Sequence, residues 1–498
     1  MRANIIRLSA QWDSAARQLQ GCNSLEIVTI GTRHYIIAAG EADGGLSSYE
    51  IMPDGSLVAV YDILGSASSG TQAVRGLTSY GVGGFTYLIP SGRYDNNTTI
   101  YRVEGDGALT ALSQYTNAHG AFANLVSTYR VEFSTATYVY SVNAQGGGIG
   151  ISQINPDGTL GNIRFFADNA SHYINDVSTM SHAVLHGQNF MFAGSTFDAG
   201  IEAFLVNPDG SLTTTYAMED SEIGFFNPSA MAALQIGARA FMVMGATGTD
   251  ELVVLRVSQG GKMKVVDRLV DTNDTRFEQV STIKLFQYEG RDLLLAAGSD
   301  DGFTILEIDH RGRLHHATTI ADDFDTTLDN LADLEIVELD GRLFVFAASP
   351  TEHGFTQFEL FLTTPQIING GRNKQTLVGT AGDDVINGYG GRDIIDGGAG
   401  NDILIDGRGK DFLTGGEGAD VFRFRDDGKK DVITDFEIGI DKIDLTDFSM
   451  LYTHYDLDIR SRIDGALLVF GDDQFRIYSA DGGRIEVSDF QATDFIFS

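Results

Sequence analysis

"GYGGRDIIDGGAGNDILIDGRGKD", Gly388 to Asp411, sets Asp393, Asp402 and Asp411 nine residues apart, with glycines before each. A helix does not tolerate that glycine density, because each interior glycine costs about 1 kcal/mol relative to alanine. An ordinary strand would not carry so many carboxylates without partners. The frame extends both ways as GTAGDDVIN, GYGGRDIID, GGAGNDILI, DGRGKDFLT and GGEGADVFR. Position six is Asp384, Asp393, Asp402, Asp411 and Asp420; position four is Gly382, Gly391, Gly400, Gly409 and Gly418. Position eight is always apolar: Ile386, Ile395, Leu404, Leu413 and Phe422. Upstream, GGRNKQTLV keeps the first two glycines and the apolar position but has no aspartate.

Glycine permits the positive φ of a tight turn and leaves backbone carbonyls open to a ligand. The residues around position eight form a short strand with the apolar side chain turned inward. Stacked turns of this kind predict a parallel β-roll over residues 370–423. Its aspartates would converge on Ca²⁺, an ion suited to carboxylate and carbonyl oxygens. Loops on one side of such a roll come from alternate repeats. Asp384 is therefore expected to share an ion with Asp402, Asp393 with Asp411, and Asp402 with Asp420.

These five repeats resemble the RTX (repeats-in-toxin) calcium-binding β-roll. The adjoining segment, ADVFRFRDDGKKDVITDFEIGIDKIDLTDF (Ala419–Phe448), is similar to the strand-rich carboxyl-terminal region of serralysin-like secreted proteins. The chain finishes in VSDFQATDFIFS, acidic residues before a short apolar end. The resemblance implies a β-rich cap over 424–498, an uncleaved signal read by type I secretion machinery, and an extracellular or cell-surface destination. The sequence departs from the repeat pattern at Asp406, which replaces the first glycine of the fourth repeat, and at Thr380 and Tyr389 in second positions.

A longer repeat occupies the first 365 residues. YEIMPDGSLVAVYDI, YRVEGDGALTALSQY, SQINPDGTLGNIRFF, FLVNPDGSLTTTYAM, LRVSQGGKMKVVDRL and LEIDHRGRLHHATTI place turn glycines at Gly55, Gly107, Gly158, Gly210, Gly261 and Gly312, at steps of 52, 51, 52, 51 and 51 residues. Asp-Gly between alternating apolar residues is a hairpin signal. Four strands per repeat of this length predict a β-propeller. A seventh unit from LADLEIVELDGRLFVF supplies three strands, and the amino-terminal ANIIRLSAQWD matches a fourth. The fold class is thus expected to be all-β: a seven-bladed propeller over 1–365, closed by the amino-terminal strand, then the roll and its cap. In period and closure the propeller resembles the lactonase-type (YVTN-like) superfamily, with no copy of an active-site motif.

The net charge of −34 argues against nucleic acid, because phosphate contacts need Lys/Arg patches. Cys22 is the sole cysteine, and no apolar run approaches the ~18 residues of a membrane span. Alone, these facts and the lack of an amino-terminal secretory pattern suggest the cytoplasm; the roll's resemblance moves the expectation to the exterior. There the acidic charge would keep the roll open until calcium screens it.

Polar residues recur before each blade's first strand: Asn23, Arg75, Asn124, Asp176, Asn227 and Glu278. Such a ring would either hold a divalent cation or cap strand ends beside channel water. Asp322, Asp323, Asp325, Asp329 and Asp333 form a second acidic concentration, read as a ligand site or a solvated loop. His119, His172, His315 and His316 belong to no recognisable catalytic set. Two readings stay open. The favoured one is a binding or adhesion module for a glycan, matrix or cell-surface protein ligand; the alternative is a secreted lactonase-like hydrolase using a channel-mouth metal.

Overall fold

The computed structural model describes residues 2–12, 19–42, 44–66, 71, 73–92, 97–116, 125–143, 147–169, 172–224, 227–272, 275–288, 290–322, 326–363, 366–448 and 451–497. The chain divides into two compact units, one of Ile5–Phe361 and one of Leu362–Ser498 with Met1–Asn4.

Each long repeat folds into one four-stranded antiparallel sheet whose strands lie in sequence order. In the first, Cys22–Ile30, Arg33–Gly40, Gly45–Ile51 and Leu57–Leu64 follow one another. The seventh sheet is assembled from both ends of the region. Asp333–Leu339, Arg342–Ser349 and Gly354–Thr363 are completed by Arg2–Trp12. The result is a seven-bladed propeller closed by its amino-terminal strand. Second strands such as Arg33–Gly40 are almost wholly buried, whereas fourth strands such as Leu57–Leu64 are largely open to solvent. Blades pack face to face, so the middle strands are covered on both sides.

The turn glycines carry a second role that links the blades. All six have φ between 77° and 85°, where a β-carbon is strained. A β-carbon on Gly107 would also lie 2.5 Å from the ring of Tyr35 in the preceding blade, and one on Gly158 would lie 2.2 Å from Tyr87. Gly210 meets Tyr138, and Gly312 meets Phe241, in the same way. The series closes on itself, because Gly55 of the first blade packs on Phe344 of the seventh, 2.4 Å from a built β-carbon. Tyr80 and Tyr140 add hydroxyl donations to the Gly158 and Gly210 carbonyls, at 2.6 and 2.8 Å.

The second unit is a parallel β-solenoid built from the nine-residue repeats. Alternate repeats stack in one sheet: Ile386 pairs with Leu404, Leu404 with Phe422, and Phe422 with Ile443. The remaining repeats stack in the other, as Ile395, Leu413, Ile433 and Ile477. These position-eight side chains are fully buried between the two sheets. Parallel pairing runs on past Arg423 through Lys430–Phe436 and Lys442–Asp444. The sheet of Lys430–Phe436 and Asp473–Ser479 then ends in two antiparallel strands, Gly465–Phe470 and Asp458–Arg462. Among the described residues no helix is long and apolar enough to cross a membrane.

Ring closure gives a direct test. Ser9 donates its hydroxyl to Gln357, whose amide in turn donates to the Gly55 carbonyl at 2.6 Å. A chain lacking residues 1–12 loses the outer strand of the seventh blade and bares a sheet edge. Its propeller is expected to melt more than about 5 °C below the parent in calorimetry. A shift of a degree or two would show that the ring closes without that strand.

Candidate metal centre and propeller channel

The solenoid orders its aspartates in two columns. Along one, the amide of Asp384 donates to Asp402 Oδ1 at 2.7 Å, that of Asp402 to Asp420 Oδ1 at 2.8 Å, and that of Asp420 to Asp441 Oδ1 at 2.9 Å. Along the other, Gln375 donates to Asp393 at 2.7 Å, Asp393 to Asp411 at 2.6 Å, and Asp411 to Asp431 at 2.8 Å. Each carboxylate thus spends one oxygen on the backbone of the turn below. The second oxygen, Oδ2, of Asp393, Asp402, Asp411 and Asp431 is buried with no hydrogen-bond partner. Asp384 differs, because Oδ2 accepts from Thr380 and Oδ1 is the unpartnered oxygen.

Burial without a donor disfavours the charged form. It pushes Asp402 up to about 7, helped by the charges of Asp420 and Asp384. Burial likewise raises Asp411 to about 6, Asp431 to about 7 and Asp441 to about 7, with neighbouring carboxylates adding to the effect. Regularly spaced, buried carboxylate oxygens with nothing to accept from suit a hard cation. The donor set fits calcium, with the glycine turns leaving carbonyls to complete it.

All five repeat aspartates are buried and fall in these columns. Asp431 and Asp441 extend them beyond the unbroken nine-residue frame. Their signal is present in DDGKKDVIT and FEIGIDKID, which keep an aspartate two residues before a core isoleucine. The glycines there are mostly gone, and the separation grows from 18 residues to 20 and 21, which hides the frame. A third missed residue is Asp406, whose carboxylate lies with those of Asp411 and Asp431. One oxygen of each is within 4.8 Å of the others.

The candidate ring residues of the propeller differ in their surroundings. The first strands of all seven blades enclose a central cavity of about 550 Å³, and of the described ring residues only Asn23 and Arg75 line it. Asn23 and Arg75 both bind Glu41. Asp176, Asn227 and Glu278 are exposed and outside its lining. Asp176 and Asn227 have φ of 54° and 60°, a conformation Asn and Asp tolerate better than other side chains, which accounts for their recurrence before a strand. Asn124, His119, Asp323 and Asp325 lie outside the described residues.

Charge enters the cavity from within the strands instead. Lys284 Nζ lies 2.7 Å from Glu335 and 3.3 Å from Asp333. Burial pushes Glu335 up to about 7 against the pull of Lys284, and burial also raises Glu26, which accepts from the Ser79 amide at 3.0 Å. Asp333 is therefore a channel residue that accepts from the Leu25 amide at 3.0 Å. Asp322 closes its own loop by accepting from Thr326 and Leu328. His172 binds the buried Glu202 at 2.7 Å, while His315 and His316 face solvent.

Residues 369–404 and 397–426 match the family model of the RTX calcium-binding nonapeptide repeat, in four copies. This segment carries calcium-binding RTX repeats. No curated protein matches the chain. Among solved structures, a crystal structure of a protein from Lactobacillus plantarum is 12% identical over 64% of this chain and 88% of its own, with a TM-score of 0.48. A functionally unknown protein from Desulfotomaculum acetoxidans DSM 771 is 9% identical over 64% of this chain and 93% of its own, with a TM-score of 0.46.

The raised carboxylates set a pH dependence. In the metal-free roll Asp402, Asp431 and Asp441 hold protons up to about pH 7, whereas an unfolded aspartate releases its proton near pH 4, about 3.9. Between these values the folded state binds more protons, so metal-free stability falls as pH rises through that window. Calcium must displace the same protons. Its apparent affinity, followed by titration of the full chain between pH 5 and 8, is expected to rise with pH and level off above about 7. An affinity independent of pH over this range would show that these carboxylates are already ionised before calcium binds.

Proposed function

We propose that the chain is a secreted calcium-binding protein whose propeller is an extracellular binding or adhesion module. The observation that carries this reading is the pair of aspartate columns within and just beyond the RTX repeats, in which Asp384, Asp393, Asp402, Asp411 and Asp431 each keep one buried oxygen without a hydrogen-bond donor. Outside cells calcium stands near the 10⁻⁴–10⁻³ M range, roughly, at which extracellular calcium modules bind. A roll that needs calcium to fold would stay open inside the cell and close outside, which suits export by a type I system through a signal in Val487–Ser498. The propeller's part is supported by the channel. Ser24, Thr78, Thr128 and Ser181 line it beside Lys284 and Asp333, a polar surface matched to hydroxylated ligands such as glycans. The exposure of Asp176, Asn227 and Glu278 outside the channel lining favours binding over hydrolysis by a metal held in the channel.

Two measurements test this reading. The full chain is expected in the medium of cells bearing a type I exporter, and a chain without Val487–Ser498 is expected to remain inside; equal export of both would refute the signal. Purified calcium-loaded chain should bind glycan arrays or cell surfaces saturably and turn over no lactone or ester. Robust metal-dependent hydrolysis would instead establish the enzyme.

Ligand sharing between turns makes the positions along one column unequal. In this reading Asp402 serves one ion with Asp384 and another with Asp420, whereas Asp384 serves one. Each ion stabilises the fold by RT ln(1 + [L]/Kd), about 2.7 kcal/mol at a hundredfold excess over Kd. Asp402→Ala should therefore shift the calcium midpoint of folding roughly twice as far, on a logarithmic scale, as Asp384→Ala. Circular dichroism of the full chain during calcium titration reads both, with the propeller's own melting unchanged. Equal shifts would contradict the sharing.

A further inference from the structure

The first position of each repeat is glycine for a reason visible in the roll. A β-carbon on Gly397 would stand 2.2 Å from Asp402 Oδ2, one on Gly415 2.2 Å from Asp420 Oδ2, and one on Gly379 2.6 Å from Asp384 Oδ2. Position one therefore faces the aspartate of its own repeat at the edge of the space between turns. Repeat four breaks the rule with Asp406, and the side chain admitted there is another carboxylate.

Asp406 is 1% exposed, Asp411 0% and Asp431 1%, so three carboxylates meet away from water. Asp406 Oδ1 accepts from the amides of Gly407 and Arg425, and its Oδ2 has only a long 3.3 Å contact with the Arg425 amide. Oδ2 of Asp411 and of Asp431 has no partner at all. Asp427 stands close by, with Oδ2 accepting from Gly409 at 2.9 Å and Oδ1 buried and unpartnered. No Lys or Arg forms an ion pair with Asp406, Asp411 or Asp431 among the described residues; Arg425 turns to Asp447, and Arg423 to Asp444. Oxygens within 4.8 Å of one another span an ion whose bonds to oxygen are about 2.3–2.6 Å long.

We infer that Asp406, Asp411 and Asp431 form a three-carboxylate cation site, the tightest calcium site of the roll, in which Asp406 adds a third carboxylate to the Asp411–Asp431 pair of one column. The inference rests on the roll's binding of calcium. Affinity in oxygen-ligated sites rises with the number of charged ligands, and an extra carboxylate favours ions of higher charge. This site therefore fills first with calcium and is the first to exchange calcium for a trivalent lanthanide. It also joins two parts of the roll, since Asp406 and Asp411 lie within the matched repeats and Asp431 lies beyond their last matched residue, 426.

The test is a calcium titration of the chelator-stripped full chain against a competing chromophoric chelator, repeated with terbium luminescence. The parent should show one tight class above several weaker ones, with terbium entering the tight class first. Asp406→Asn keeps an oxygen for the Gly407 and Arg425 amides but removes a charge, and should weaken the tight class about tenfold while sparing the others. Asp406→Gly restores the repeat's own residue and should convert the site to an ordinary pair. Asp384→Asn, at the other end of the roll, should remove a weak site and leave the tight one. Circular dichroism at saturating calcium verifies that each variant folds. If both Asp406 variants titrate as the parent does, Asp406 is a backbone acceptor and the inference falls alone. A parent that takes up neither ion overturns the calcium reading and this inference with it.

Discussion

In the roll, an amide from each turn reaches one oxygen of the aspartate two repeats on, and the other oxygen is left facing a dry interior. The hydrogen bond fixes the register of the stack, because it recurs at a separation of 18 residues between Asp384 and Asp402, Asp393 and Asp411, and Asp402 and Asp420. It also places the charges where solvation is lost. A buried ion without a partner costs several kcal/mol, and more when like charges stand in a row. The geometry that aligns the turns thus makes the metal-free stack unfavourable at neutral pH. Apolar packing of Ile386, Leu404 and Phe422 on one side, and of Ile395 and Leu413 on the other, works against that penalty and is narrow, one side chain per repeat. A cation placed between turns reverses the sign of the electrostatic contribution.

The propeller is held together by different means. Its blades are held by apolar faces and by a local device repeated around the ring, a turn glycine over an aromatic ring of the blade before. That device is directional, and its last member, Gly55 on Phe344, works only after the chain has come full circle. The long-range hydrogen bond from Gln357 to Gly55 belongs to the same closure. Non-local contacts of this kind slow folding, since the loop must close before they contribute. The two units are therefore held by different means, the roll by a ladder of aspartates and a narrow apolar column, the propeller by blade packing and chain continuity.

Much of this was legible in the residues because both repeats are enforced by backbone geometry. The Asp-Gly turns recur at a fixed step since each glycine has a positive φ and an aromatic neighbour, and position eight is apolar since it fills the solenoid. Legibility failed where geometry relaxed. Asp431 and Asp441 occupy position six of turns lengthened by two and three residues, where glycine is no longer needed throughout. Asp406 looked like a mere departure because only the fold reveals what position one faces. The channel charges Glu26, Lys284 and Glu335 sit inside strands with no motif around them, and only ring closure brings the first strands together. Conversely, Asp176 and Asn227 recur in sequence because a left-handed turn residue is required there, which periodicity alone does not distinguish from a ligand.

The last strands of the solenoid bear on how copies of the chain behave toward one another. A stack of parallel strands is open at its end, and another stack of the same register would extend it into a fibre. Here the sheet of Lys430–Phe436 and Asp473–Ser479 reverses direction through Gly465–Phe470 and ends at Asp458–Arg462, an edge reading Asp-Ile-Arg-Ser-Arg. A roll arriving from a second molecule would meet antiparallel backbone and the charged side chains Asp458, Arg460 and Arg462 in place of a continuation of its own turns. The reversal leaves no parallel continuation at that edge for a second roll to extend.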